Sequence, residues 1–159
     1  MEVRTIRVTI DSDLAEVRQV RRALSALVGE GPLSPEEWYQ VKVCIAEAAN
    51  NAIIHAYGRQ GGHPVEVEVE RLADRVVCRI ADFGKPMPEG AWRQKPQLDY
   101  CPKDVAGLPE GGMGLYIMHQ VMDQVEYASE GGRNVLTLTR IARGEKTVSE
   151  SWPENPGPR

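Results

Sequence analysis

Residues 65–71 read Val-Glu-Val-Glu-Val-Glu-Arg, a strict alternation of apolar and charged side chains. A period of two is that of a β-strand. This one buries Val65, Val67 and Val69 on one face and leaves Glu66, Glu68 and Glu70 wet. Ala73-Asp74 turns the chain into a second apolar run, Val76 to Ala81, and the two form a hairpin. The chain must therefore build a sheet with one covered face, and the cover has to come from elsewhere in the sequence.

Two helical stretches upstream supply it. Val3 to Ile10 alternates as an opening strand, and Asp11-Ser12-Asp13 then offers N-caps for a helix over Leu14 to Val28. Its apolar positions are Leu14, Val17, Val20, Leu24, Leu27 and Val28, and Gly29-Glu30-Gly31-Pro32 stops it. Ser34-Pro35-Glu36-Glu37 is a cap, a proline at the first helical position and a carboxylate three residues after the cap, which starts a second helix running to about Tyr57. Downstream of the hairpin, Lys85 to Glu110 carries five prolines and little apolar periodicity, and a loop of that length inside a domain is usually functional or disordered. Gly111-Gly112-Met113-Gly114 opens a third helix, Leu115 to about Met122. Val125–Ala128 and Val135–Ile141 form a last hairpin around Glu130-Gly131-Gly132. The order β α α β β (loop) α β β predicts an α+β two-layer sandwich, a mostly antiparallel sheet with helices on one face. Residues 1–142 make one domain, and 143–159 are a polar, Pro-rich tail.

With 159 residues, 42% hydrophobic and 26% charged, the composition is that of an ordinary globular protein. A net charge of −4 with scattered basic residues gives nucleic acid no footprint. No apolar run approaches the ~18 residues of a membrane span, and the first residues do not read as a signal peptide. Cys44 and Cys78 fall on apolar faces and Cys101 stands alone. No pairing of zinc-ligand type occurs, and a reducing cytoplasm is the expected location.

Three segments carry chemistry. Glu47, Asn51 and His55 are spaced i, i+4, i+8 on the second helix. Each four-residue step drifts by only about 40°, so the three share one stripe beside the apolar face. A carboxylate, a carboxamide and an imidazole in a row suit a hydrated cation and a proton transfer. Asp82-Phe83-Gly84 leaves a strand, where Asp82 can accept from an exocyclic amine and Gly84 permits close approach of a flat ligand. Gly111, Gly112 and Gly114 precede or open a helix, whose free N–H groups favour phosphate. Singly, each has a bland counterpart: a solvated helix face, a plain Asp-x-Gly turn, a glycine-rich cap.

Together, ExxxNxxxH on a helix, DxG after a strand, a long loop and GGxGL opening a helix resemble the ATP-binding domain of the GHKL superfamily. Within it, Ile45-Ala46-Glu47-Ala48, Ile54-His55-Ala56-Tyr57, Gly112 to Met118 and Val121 to Val125 resemble the bacterial anti-sigma factor serine/threonine kinases, the switch kinases. The likeness runs over about residues 5 to 141. It implies Glu47 as general base toward a serine or threonine hydroxyl, and Asn51 as the protein ligand of Mg²⁺. Asp82 and Gly84 would sit at the adenine, Gly111, Gly112 and Gly114 at the ATP phosphates, and 85–110 would be the ATP lid. His55 is expected to tie the helix end to the loop, and Lys103 and Lys85 are the nearest cations for the γ-phosphate. The implied partners are a STAS-type anti-anti-sigma protein and a sigma factor, with a homodimer as the assembly; the alternative is a nucleotide-gated binding module without kinase activity. Two departures stand out. The family's DxGxG has Pro86 in place of its second glycine, and the threonine common after the last hairpin's glycine is replaced by Arg133-Asn134, which puts that adenine contact in question. Trp92 and Tyr100 in the loop are candidates either for partner contacts or for packing back on the domain.

Overall fold

The alternating segment forms strand β2 (Pro64–Arg71), with Val65, Val67 and Val69 buried as its period requires. The three glutamates are half-buried, because cations stand over them. Glu68 pairs with Arg7 at 2.6 Å and with Arg79 at 2.8 Å, and Glu66 pairs with Arg133 at 3.2 Å. Such surface pairs add little stability, but they keep the open face of the sheet polar. A computed structural model describes residues 2–93 and 113–143 of the chain.

β2 is flanked by β1 (Arg4–Asp11) and β3 (Arg75–Asp82), and the last hairpin forms β4 (Gln124–Glu130) and β5 (Arg133–Ile141). The five strands lie in the order β1-β2-β3-β5-β4, every pair antiparallel. The final strand is thus inserted beside β3, which sets Asn134 directly opposite Asp82. The turn between β4 and β5 places Gly131 at φ 61° and Gly132 at φ 79°, the two positive values that a two-residue hairpin loop matched to strand twist demands.

The helical layer covers the other face. The first helix is shorter than its spacing predicts: α1 spans Val17–Leu24, with 3₁₀ turns at Leu14–Glu16 and Ser25–Leu27. Asp13 caps the first turn by accepting from the Ala15 amide, and the tighter winding leaves Leu14 41% exposed instead of in the core. α2 (Pro35–Asn51) has the full reciprocal cap: the Glu37 amide donates to Ser34 Oγ at 3.2 Å, and the Ser34 amide donates to the Glu37 carboxylate at 2.8 Å. Trp38, Val41, Ile45 and Ala48 are buried beneath it.

α2 does not run as an α-helix to Tyr57. From Ala52 to Ala56 it widens into a π-helical turn, closed by the Tyr57 amide donating to the Ala52 carbonyl at 3.1 Å. α3 (Met113–Val121) starts before the expected Leu115 and buries Met118. Cys44 and Cys78 are buried free thiols. Burial, and after it the charge of Glu47, pushes the Cys44 thiol up to about 12, so it stays protonated and inert. Trp92 sits in a 3₁₀ turn (Ala91–Arg93), half-buried, and its carbonyl accepts from His119 Nε2 at 2.7 Å, so this residue docks back on the domain. Among the described residues no helix is long and apolar enough to cross a membrane. Lys103, Tyr100, Gly111, Gly112, most of the expected lid and the tail beyond 143 lie outside the described residues.

Candidate functional site

Between the C-terminal part of α2 and the sheet lies a cavity of about 320 Å³. One wall is Ala48, Ala52 and Ala56, spaced i, i+4, i+8, whose small side chains leave a flat surface along the helix. Ile80 and Leu136 form the sheet side, and Pro86, Met87, Leu115 and Tyr127 close the rest. An apolar slot of this size with a few fixed polar groups suits a flat heterocycle. Asp82 is the carboxylate that lines it.

Asp82 is held from two sides. Its Oδ1 accepts from Asn134 Nδ2 at 2.7 Å and from the Gly84 amide at 3.0 Å. Burial pushes the Asp82 carboxyl above its ordinary range, and these two donors work against the shift. A half-compensated buried carboxylate facing a cavity is a group with acceptor capacity to spare.

The other end of the stripe is defined by Gly114, at the start of α3. A Cβ built there would stand 3.2 Å from both Glu47 Oε2 and Asn51 Nδ2. The carboxylate of Glu47, the carboxamide of Asn51 and the N-terminal turn of α3 therefore converge on one spot, and Asn51 also lines the cavity. The exposed N–H groups of a helix start attract anions. A proton acceptor, a neutral oxygen ligand and an anion-favouring backbone thus lie together at one mouth of an apolar slot. Among the described residues no group of three or more His, Cys, Asp or Glu side chains could hold a metal ion. A divalent cation here would rest on Asn51 together with water and ligand oxygens, the usual coordination for Mg²⁺.

Gly114→Ala tests the convergence. The methyl meets only the movable ends and the Cβ of side chains, so folding should change by no more than about 1 kcal/mol. Displacing Glu47 and Asn51 should lower turnover at this site roughly ten- to a hundredfold, read as initial rate beside a thermal melt. Wild-type rates would show that the two side chains need not hold that spot.

The family model for the histidine kinase-like ATPase domain matches residues 10–140. The chain belongs to that family. It is 32% identical over 142 residues to a serine-protein kinase of Bacillus pumilus, named RsbW, covering 86% of this chain and 85% of that one. The RsbW serine-protein kinases of Bacillus velezensis and Bacillus subtilis are 30% and 28% identical, covering 88% and 84% of their own lengths.

Against the pattern of the histidine kinase-like ATPase family, the structure revises three expectations. At Gly84 the close approach on the side a Cβ would occupy is made by the protein itself: a Cβ there would lie 2.3 Å from the Ala56 carbonyl oxygen and 2.9 Å from the Tyr57 ring. The π-helical turn aims the Ala56 carbonyl outward, where it accepts from the Lys85 amide at 2.8 Å. His55 is exposed and lines the cavity, with no hydrogen bond to another described residue, so it does not tie the helix end to the loop among those residues. Tyr57 does that work: its hydroxyl accepts from the Phe83 amide at 2.8 Å and donates to the Pro64 carbonyl at 2.7 Å. Third, where Pro86 stands in place of the motif's second glycine, the segment after Asp82 is pinned to the domain. The Met87 amide donates to Tyr127 Oη at 2.9 Å, and Asn134 Nδ2 also donates to the Gly84 carbonyl at 3.0 Å. Lys85 lines the cavity. Tyr127 and the alanine wall are not legible as site residues, and Asn134 is legible only as a departure from the family's threonine, not as the partner of Asp82. For the wall, the alanine spacing was the one signal present in the sequence.

Proposed function

We propose that this chain is an ATP-dependent protein serine/threonine kinase acting as an anti-sigma factor in the cytoplasm. It phosphorylates a STAS-type anti-anti-sigma protein, and it sequesters a sigma factor until that exchange occurs, most simply as a homodimer. The observation that carries the reading is the placement of Glu47 Oε2 and Asn51 Nδ2 against the same point at the start of α3, beside an apolar slot that ends on Asp82. The names of the relatives, serine-protein kinases over most of their lengths, support the same class of reaction.

In this reading the slot takes the adenine, with its amine donating to Asp82, and the phosphates lie toward α3. Glu47 accepts the proton of the attacking hydroxyl as its oxygen bonds to the γ-phosphorus and the bond to the β–γ bridging oxygen breaks, so that ADP leaves. Asn51 holds Mg²⁺, which supplies neutralisation of phosphate charge. The segment that leaves β3 would begin the lid, and it is laced to the domain through Lys85 and Met87.

The test is calorimetric titration with Mg-ATP and with ADP, followed by labelled ATP and a STAS protein. Asp82→Asn should weaken both nucleotides about tenfold to a hundredfold, because the new amide keeps its oxygen toward Asn134 Nδ2 and the Gly84 amide and so turns its own –NH2 to the ligand's amine, a donor against a donor in place of a charge-assisted acceptor. Label on a partner serine establishes the kinase. Nucleotide binding without label on any partner supports the alternative, a nucleotide-gated binding module. No binding overturns the reading.

A further inference from the structure

We infer that Asn134 is a base-specificity residue: by saturating one oxygen of Asp82 it restricts the site to a purine that offers a single donor. The inference rests on the nucleotide reading above and assigns within it a residue that departs from the family pattern. Asp82, Asn134 and Ser129 stand on one rung across β3, β5 and β4. Ser129 Oγ donates to Asn134 Oδ1 at 2.6 Å, and Asn134 Nδ2 donates to both Asp82 Oδ1 and the Gly84 carbonyl.

The orientation of this carboxamide is fixed by its surroundings. Both neighbours of the Nδ2 end are acceptors, so a flipped amide would set oxygen against two oxygens. Asn134 is only 1% exposed, too little for water to compensate such a flip. Asp82 Oδ1 therefore spends both of its lone pairs on protein donors, Asn134 Nδ2 and the Gly84 amide. Oδ2 makes no hydrogen bond to another described residue and is the acceptor left for a ligand.

That asymmetry discriminates between purines. Adenine presents one amine, which one oxygen can receive. Guanine in the same pose presents a carbonyl oxygen, repelled by the carboxylate. It could bind by sliding so that its ring N–H and its amine face Asp82 side by side, but this needs an acceptor at both oxygens. With Oδ1 occupied, that second pose is closed.

The experiment compares ADP and GDP affinities by calorimetry for wild type, Asn134→Ala and Ser129→Ala, with a thermal melt of each. Wild type should prefer ADP. Asn134→Ala frees one of the two lone pairs of Oδ1, the other staying on the Gly84 amide, and should shrink the ADP-over-GDP preference about tenfold. Ser129→Ala loosens the amide without touching Asp82, and should shrink the preference in the same direction by roughly threefold. A change in the ratio is the readout, since a merely structural role would weaken both nucleotides alike. An unchanged ratio in the folded variants overturns the assignment while the nucleotide reading stands on wild-type ADP binding. If Asn134→Ala does not fold, Ser129→Ala decides by the same criterion. Wild type binding neither nucleotide overturns both.

Discussion

Glu47→Gln should retain ADP affinity within about twofold and lose phosphoryl transfer by roughly 10²–10⁴. The substitution keeps size and hydrogen-bonding shape, so the contact with the start of α3 persists, but an amide cannot take a proton. Glu47 also stands apart from the residues lining the slot, which is why base binding should be spared. The measurement is single-turnover transfer from labelled ATP to a partner serine, with ADP titrated in parallel. Transfer at the wild-type rate would sink the general-base assignment, and the proton would then have to leave by water. A joint loss of ADP affinity would point instead to Glu47 holding α3 in place. The design separates these because the Glu47 carboxylate stands against the start of α3, while Asp82 lines the slot.

How far the sequence revealed this site follows from the range of each interaction. The strand alternation at 65–71, the reciprocal cap of Ser34 and Glu37, and the Glu47–Asn51 spacing are local, so period and residue type suffice to read them. The contact of Asn134 with Asp82 spans 52 residues and exists only because β5 inserts between β3 and β4. Nothing local in Arg133-Asn134 announces it. The π-helical turn at Ala52–Ala56 is equally silent, because alanine and isoleucine suit an ordinary helix; tertiary contacts to Gly84 and Lys85 go with the widened turn. Gly84 shows the opposite case. Its residue type was legible as a demand for close approach, and only the structure shows that the approaching group is the protein's own backbone.

Gly84→Ala should accordingly be a stability mutant before it is a binding mutant. The added methyl would meet the Ala56 carbonyl carbon at 2.6 Å and its oxygen at 2.3 Å, both backbone atoms that no rotamer change can move. Relief requires the end of α2 and the end of β3 to separate. That strains the Lys85–Ala56 hydrogen bond and the Tyr57 hydroxyl bridge to Phe83 and Pro64. Overpacking of this kind costs about 2–3 kcal/mol, which lowers Tm by roughly 5–15 °C in a domain of this size. Gly61→Ala is the matched control: a Cβ there meets Asp11 Oδ2 at an ordinary 3.7 Å, and Tm should move by no more than about 2 °C. Because Asp82 and the Met87 strap hang from the same junction, ADP should also raise the Tm of Gly84→Ala less than it raises that of wild type. If Gly84→Ala melts with wild type, as Gly61→Ala should, the junction yields more readily than its geometry implies, and the glycine of this motif would have to be explained by the ligand after all.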